Sequence, residues 1–422
     1  MINKTLNNLF KGDKVIWMVF FFLCIISVVE VYSASSTLTY KQGSYFSPII
    51  KHFMTLIMGI VVMLVVMNIR VQYFKIVTPF LLIFSIVTLI WVLFAGEVNG
   101  ASRWVSLMGI KFQPSEIAKG TMVLATAQLL AHMQTPNGAD RNAFKYILTV
   151  CALIVPLILV ENFSTAALIC AVIFMMMIIG RVPMQQLGKL LGVVMVVIAL
   201  FVGLILMAPD EKPKPQAEAA STEVVVKVEE RNAMEKIFHR FSTWKARLLD
   251  FFDSEEVAPE EFDLDKDMQK GHSNIAIASS NFIGKGPGRS EERDFLPQAF
   301  SDFIYSIIIE ELGIIGGFFV LLLYIILLIR TGRIAGRCEK NFPAFLAMGM
   351  ALLLVTQAMF NMCVAVGLAP VTGQPLPLIS KGGTSTVINC VYIGVILSVS
   401  IWATKKKTAE PALQKVKMTV ES

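Results

Sequence analysis

Charged residues are scarce in this sequence. Only 16% of its 422 residues are Asp, Glu, Lys or Arg, whereas a soluble domain has about 25%. The shortage extends along the whole chain, so a single membrane anchor does not explain it. Hydrophobic residues make up 55% of the chain and the mean hydropathy is +0.67. This composition excludes the two or three soluble domains that length alone would allow.

Cysteine motifs are also missing. None of the six cysteines has the spacing of a metal site or of a disulfide framework. The net charge of +6 does not indicate nucleic acid, because the basic residues lie at the edges of apolar runs, where anionic lipid accounts for them. We therefore expect membrane lipids as neighbours and no nucleic-acid partner.

Long apolar runs dominate what is present. A run of about 20 residues matches a bilayer core of about 30 Å, and lipid leaves no partner for a free backbone group, so such runs must be helices. The sequence predicts an all-α polytopic membrane protein with about ten transmembrane helices, or eight if two short runs are discounted. The runs lie near 15–33, 49–67, 77–95, 115–132, 146–160, 164–180, 189–208, 303–329, 343–367 and 386–403.

Basic residues follow every second run and also precede the first run, which predicts that both termini are cytoplasmic. The long, mainly acidic segment 209–301 then forms one large extracytoplasmic loop between helices 7 and 8. Its part 210–230 has the composition of flexible chain. We predict a single membrane domain over 1–422 that ends in a cytoplasmic tail at 404–422.

Four clusters on the extracytoplasmic side carry candidate chemistry. In the first, Arg103 precedes a helix that starts at Pro114, and Glu116 and Lys119 share one face of that helix. They form either an ion pair at the helix start or a polar lining for an anionic headgroup. In the second, Asp302 opens span eight as a helix cap or as a functional group. Glu310–Glu311 follow two turns deeper and need partners in the bundle, for which Lys119 is a candidate.

The third cluster leads into span ten. Prolines keep segment 370–377 from being helical. A basic, glycine-containing turn then opens the next helix, where backbone N–H groups attract anions; its residues are Lys381, Gly382, Gly383, Thr384 and Ser385. The alternative is a re-entrant turn that only packs. The fourth cluster comprises segments 240–244 and 284–288 of the large loop, which are either a surface helix and a solvated turn or further parts of the site.

These patterns together resemble the SEDS family (shape, elongation, division and sporulation proteins). The family patterns G-x-R-x-W and Q-P-S-E-x-x-K match residues 100–119, its P-x-x-x-x-D-F matches 297–303, and its long block ending in I-S-x-G-G-[ST]-S matches 361–385. The resemblance extends over 15–402, apart from the part near 210–230, and is closer to the division members than to the elongation members.

The resemblance implies a ten-span fold in the bacterial inner membrane, at the division septum, and a glycosyltransferase that polymerises lipid II into peptidoglycan. It implies that Asp302 is the catalytic residue, and its chemistry is that of a general base. A class B penicillin-binding transpeptidase and other divisome proteins are the implied partners. The predicted substrate-binding residues are Arg103, Glu116, Lys119, Glu161, Arg240, Lys381, Gly382, Gly383, Thr384 and Ser385.

The sequence departs from the family pattern at three places. Phe300-Ser301 stands where the family often has His-Thr, which removes a proton-shuttling histidine; only Glu161 remains of a Glu-Pro-Asp; and Lys381 replaces a usual Tyr. A leaving pyrophosphate needs cations or N–H donors, which the basic residues or a divalent cation (Mg²⁺ or Mn²⁺) would supply, although no dedicated metal cage is evident. The rival hypotheses are a transporter that flips the lipid-linked precursor and a non-catalytic scaffold.

Overall fold

The computed structural model describes residues 10–34, 47–94, 104–107, 110–207, 268–296 and 299–420, and they are mostly helical. Each of the ten predicted spans coincides with a helix. The helices are α1 (Lys14–Ala34), α2 (Ser47–Asn68), α3 (Val71–Phe94), α4 (Pro114–His132), α5 (Arg141–Glu161), α6 (Phe163–Ile179), α7 (Met184–Met207), α8 (Met268–Ala278), α9 (Ile304–Ala335), α10 (Asn341–Ala365) and α11 (Thr384–Val420).

Two short antiparallel hairpins join helices. β1 (Val105–Leu107) pairs with β2 (Ile110–Phe112) before α4, and β3 (Gln134–Thr135) pairs with β4 (Gly138–Ala139) after it. Seven of the described helices are long and apolar enough to cross a membrane on their own, while α6 and the first part of α7 are apolar but shorter. The predicted all-α polytopic membrane fold is confirmed.

Helices α10 and α11 are the most buried of the seven long apolar helices. The buried shares of their apolar spans are 67% and 72%, against 28% for α2 and α3, and α10 packs against α4, α6, α9 and α11. The outer helices therefore present apolar side chains outward, as a lipid-facing surface requires. Small residues allow the closest approaches: a Cβ on Gly120 of α4 would lie only 2.7 Å from the ring of Tyr392 on α11.

Basic residues gather at one end of the bundle. Arg330 Nη2, near the end of α9, lies 2.8 Å from Asp13 Oδ2, just before α1, and the Arg70 guanidinium lies over the ring of Trp402 at 5.7 Å. The two pairs are close to each other, because a Cβ on Gly12, the residue before Asp13, would lie 3.3 Å from the carbonyl oxygen of Leu397 on α11. Four chain segments that were predicted to share one side of the membrane thus meet at one end. Their assignment to the cytoplasm stays a prediction.

Helix α9 is broken at Gly313, whose backbone (φ 73°, ψ −179°) is not helical. The break divides α9 into a front segment, residues 304–312, and a longer segment, residues 314–335. A positive φ is a conformation that glycine adopts readily and other residues do not. Asp302 lies directly before the front segment.

The chain divides into two compact units, Met1–Met184 with Asp263–Ser422 and Gln185–Phe262. Of the second unit the structure describes 185–207, which belong to α7. The predicted flexible part of the large loop, 210–230, lies outside the described residues. The predicted domain limits, including a tail from residue 404, stay predictions, and helix α11 itself continues to Val420.

Candidate active site

The segment between α10 and α11, residues 366–383, is the proline-rich loop that the sequence predicts. Its prolines lack N–H groups and prevent a helix, so its carbonyl groups need donors from elsewhere. Side chains of three helices supply them. Gln357 Nε2 of α10 donates to the carbonyl of Pro375 at 3.0 Å, the Tyr324 hydroxyl of α9 to that of Pro377, and Ser27 Oγ of α1 to that of Ile379 at 2.7 Å.

The turn that carries Asp302 is bonded to this loop and to α10. Three consecutive carbonyl groups, those of residues 300–302, each accept a hydrogen bond. Lys381 N donates to the first at 3.0 Å, Ser380 Oγ to the second at 2.6 Å, and Asn361 Nδ2 to the third at 2.8 Å. Asn361 Nδ2 also donates to the carbonyl of Gln374 at 2.8 Å. The backbone at Asp302 is therefore fixed relative to the loop.

The Asp302 side chain is half-buried. Ser301 Oγ donates to Asp302 Oδ1 at 3.1 Å, and Phe303 occupies the N-cap position of α9. A carboxylate that retains access to solvent on a rigid turn can reach a substrate proton, as a general base must. The geometry is compatible with the predicted catalytic role.

Lys381 lies beside the Asp302 turn. Its Nζ is 5.3 Å from the centre of the Phe300 ring. Burial lowers the pKa of the Lys381 ammonium, and the nearby Lys51 ammonium lowers that pKa further. His52, the residue after Lys51, bonds through Nε2 to Ser27 Oγ at 2.8 Å. The ammonium groups of Lys51 on α2 and Lys381 in the loop therefore lie near each other.

The glycine turn opens α11 as predicted. Gly383 is exposed with φ +55°, and a Cβ there would face open space. Ser385 N donates to the carbonyl of Gly382 at 3.1 Å and Thr386 N to that of Gly383 at 3.2 Å. Thr384 is half-buried and Ser385 is buried. The predicted residues 381–385 thus lie together, next to Asp302.

Glu116 and Lys119 form the ion pair that their spacing indicates, but inside the bundle. Lys119 Nζ lies 2.8 Å from Glu116 Oε1, and both side chains are almost fully buried. Lys119 Nζ also donates to Gln357 Oε1 at 2.7 Å, and Gln357 in turn holds the carbonyl of Pro375. Through Gln357, the ion pair therefore stabilises the position of the proline-rich loop.

Glu161 is buried at the end of α5. Asn162 follows it and caps α6, because its Oδ1 accepts bonds from Ser164 N at 3.0 Å and Thr165 N at 3.3 Å. Thr165 Oγ1 accepts a bond from Gln374 Nε2 at 2.8 Å. The α5–α6 junction thus reaches the proline-rich loop through Thr165. Of the remaining predicted residues, Arg103 and Arg240 lie outside the described residues.

One interpretation from the sequence is wrong. Lys119 is not the partner of Glu310 or Glu311, because its ammonium group is taken by Glu116 and Gln357. Glu310 pairs instead with Lys285, Nζ to Oε1, at 2.8 Å. Segment 284–288 is partly exposed, but the N–H groups of residues 285 and 286 bond to the break in α9. The sequence analysis paired groups by charge alone and did not predict the break in α9 that brings residue 285 to residue 310.

The sequence analysis did not select four polar residues whose side chains bond to the proline-rich loop: Ser27, Thr165, Tyr324 and Gln357. The available signal was a hydroxyl or amide within an otherwise apolar helix, which must find a partner once it is buried. Within the described part of the chain, no group of three or more His, Cys, Asp or Glu side chains is placed to hold a metal ion.

The comparisons with known proteins agree on one family. The profile of the FtsW/RodA/SpoVE family, described as cell cycle proteins, matches residues 13–405. The probable peptidoglycan glycosyltransferase FtsW of Aromatoleum aromaticum is 30% identical over 89% of this chain and 85% of its own length.

Solved structures agree in fold. A chain from a study of how a peptidoglycan synthase complex coordinates polymerization and crosslinking superposes with a TM-score of 0.68 at 21% identity, covering 93% of this chain and 98% of its own length. The rod shape determining protein RodA of Thermus thermophilus superposes with a TM-score of 0.60 at 20% identity, covering 93% of this chain and 98% of its own length.

Proposed function

The chain belongs to the FtsW/RodA/SpoVE family of cell cycle proteins, as its SEDS pattern predicts, and we propose that it is a peptidoglycan glycosyltransferase that polymerises lipid II during septal wall synthesis. The names of its relatives support the activity. The main structural support for the proposed site is the fixed turn at Asp302. The carbonyl groups of residues 300–302 accept hydrogen bonds from Asn361 and from the loop segment 380–381.

In the proposed reaction, Asp302 takes the proton from a hydroxyl group of the acceptor sugar. The hydroxyl oxygen forms a bond to the anomeric carbon of the donor, the bond from that carbon to the lipid pyrophosphate breaks, and the pyrophosphate leaves with the electron pair. General-base assistance of this kind contributes about 10²–10⁴-fold in rate. The half-buried, rigidly held position of Asp302 suits this role.

The leaving pyrophosphate gains negative charge, so it needs fixed donors. Lys381 and the turn 382–385 supply a cation and the N-terminus of α11, and Lys51 adds charge nearby. The proposal includes a divalent cation, Mg²⁺ or Mn²⁺, that is bound chiefly by the pyrophosphate itself. Loss of polymerisation in EDTA, restored by either cation, is the expected result.

The donor site has a direct test. We expect Gly383→Val to raise the KM for lipid II, because a β-branched residue does not adopt φ +55° without strain. Gly192→Ala, where a Cβ meets nothing within 4 Å, is the control. Initial rates across lipid II concentrations measure both variants, and an unchanged KM in a folded Gly383→Val protein would count against the site.

The proposal also includes the location of the protein and its orientation in the membrane. We infer that both termini are cytoplasmic, that Asp302 faces the outside at the division septum, and that a class B penicillin-binding transpeptidase with other divisome proteins crosslinks the product. The synthase-complex structure supports such a partner. A topology reporter inserted after Ala219 should report an external position and one after Lys407 a cytoplasmic position. The reverse pattern would remove Asp302 from the side where its substrate lies.

A further inference from the structure

The break in α9 is capped by a separate piece of chain, which we name the cap loop, residues 282–291. In an unbroken helix, the carbonyl groups of Glu310 and Glu311 would accept bonds from the N–H groups four residues ahead. Here the carbonyl of Glu310 accepts a bond from Lys285 N at 3.0 Å and that of Glu311 from Gly286 N at 2.8 Å. The cap loop therefore supplies the hydrogen bonds that the helix loses.

The Glu311 carboxylate holds the cap loop. Its Oε2 accepts a bond from Gly288 N at 2.9 Å and its Oε1 from Ser290 N at 3.1 Å. Ser33 Oγ of α1 also donates to Oε1. A fully buried carboxylate is tolerated only when such donors replace water. The side chain thus joins α9, the cap loop and α1.

The carboxylate of Glu310, the residue before Glu311, also holds the cap loop. Glu291 N donates to Oε1 at 3.0 Å, Lys285 Nζ donates to Oε1 at 2.8 Å, and Ser290 Oγ donates to Oε2. Burial lowers the pKa of Lys285, but its bonds to Glu310 and Glu291 outweigh that effect, so its pKa is raised. The Lys285 ammonium is therefore charged at neutral pH.

Backbone of the loop and of the helix touch at two glycines. A Cβ on Gly284 would lie 2.3 Å from the carbonyl oxygen of Glu311, and one on Gly313 would lie 2.3 Å from that of Phe282. Both glycines have positive φ, +83° and +73°. No other residue type fits at either position without moving the loop away from the break.

The front segment of α9 is thus held at both ends. The cap loop holds the end at Gly313, and the proline-rich loop with Asn361 holds the end at Asp302. Helix α1 contacts both sides, through Ser33 to Glu311 and through Ser27 to the carbonyl of Ile379. A change at the Gly313 end therefore acts on one end of a nine-residue segment whose other end follows the Asp302 turn.

We propose that Glu310 and Glu311 are positioning residues: by binding the cap loop they fix the break at Gly313, and the fixed break presents Asp302 to the acceptor hydroxyl. The proposal rests on the proposed function of Asp302. It assigns the two carboxylates a role in the catalytic step rather than in donor binding, because their side-chain bonds go to the cap loop and α1.

The test uses Gly284→Ala and Gly313→Ala, which disrupt the same contact from opposite sides, together with Glu311→Gln. The amide of Gln has one acceptor oxygen and one donor nitrogen, so in either orientation its NH₂ group faces an N–H or O–H donor of the loop or of Ser33. Misplacement of a catalytic group by about 1 Å costs up to about 10²-fold in rate. We expect kcat to fall about 10–100-fold while the KM for lipid II changes little.

The controls distinguish a displaced Asp302 from a misfolded protein. Gly138→Ala brings a Cβ to 2.6 Å from the carbonyl oxygen of Arg181 at a positive φ (+130°), but in the β3–β4 hairpin, so it should lose far less kcat than Gly284→Ala. Thermal unfolding of purified protein in detergent identifies misfolded variants. If all three test variants misfold, Lys285→Met replaces them. Its several-fold loss of kcat should be restored in Lys285→Arg, and equal kcat in those two proteins would overturn the proposal.

Failure of the positioning proposal and failure of the proposed function give different results. Folded Gly284→Ala, Gly313→Ala and Glu311→Gln proteins with wild-type kcat would overturn the positioning role, and so would a raised KM with unchanged kcat. An inactive wild-type protein, or an Asp302→Asn variant as active as wild type, would instead overturn the proposed function.

Discussion

Asn361 is the residue on which the site geometry depends most directly. It is buried, and its Nδ2 donates to two carbonyl groups, those of Asp302 and Gln374, each at 2.8 Å. Replacing it by alanine leaves both carbonyl groups without this donor. An unsatisfied buried group costs about 1–3 kcal/mol, whereas hydrogen bonds within membrane proteins average about 0.6 kcal/mol.

For Asn361→Ala we therefore expect the free energy of unfolding to fall by about 2–4 kcal/mol, since the buried carbonyl of Gln374 accounts for about 1–3 kcal/mol and the partly buried carbonyl of Asp302 for about 0.6 kcal/mol. The polymerisation rate should fall as well, because the Asp302 turn loses one of its three anchors. Denaturant titration in mixed micelles measures the first quantity, and initial rates with labelled lipid II measure the second.

The matched control is Asn68→Ala. Asn68 Nδ2 also donates to a backbone carbonyl, that of Leu64 at 2.7 Å, but at an exposed position. Surface substitutions of this kind usually change stability by at most about 0.5 kcal/mol. If Asn361→Ala and Asn68→Ala lose equal stability, and both polymerise at the wild-type rate, the account of a rigidly held turn is refuted.

Two other predictions concern lysines. Lys119→Met leaves the buried Glu116 carboxylate without its cation, which typically costs about 3–5 kcal/mol; adding Glu116→Gln should recover part of that loss in the same titration, and a further loss would contradict it. The pKa of Lys381 is lowered, so its ammonium is present below that pKa and is lost as pH rises through it. The KM for lipid II should therefore begin to rise below the ordinary lysine pKa in wild type, whereas Lys381→Arg, which stays charged, should show no such rise; parallel pH profiles would contradict this.

The helices could be predicted from the sequence, because a chain segment inside lipid has few conformations other than a helix. Each apolar run had to become a helix, and Gly383 and the prolines before Lys381 marked the loop and the start of α11. The family resemblance implied that Asp302 and Lys381 belong to one site, but their contact could not be predicted, since no periodicity relates residues 79 positions apart.

The break in α9 could not be predicted from the sequence. Gly313 lies in an apolar stretch that reads as continuous helix, and a single glycine inside a helix is common. Only the packing of Gly284 against it shows why α9 breaks there. For the same reason the partners of Glu310 and Glu311 were not predictable: they are backbone N–H groups of the cap loop, which carry no signal in side-chain type.

The central claim is that Asp302 is the general base, and Asp302→Asn tests it most directly. Asn keeps the size of the side chain and its Oδ1 can still accept the bond from Ser301 Oγ, but its amide does not take up a proton near neutral pH. Purified wild-type and variant proteins are compared with labelled lipid II, with thermal unfolding as the folding control. The account predicts glycan strands from wild type and none from a folded Asp302→Asn protein; strands formed by the variant at near the wild-type rate would contradict it.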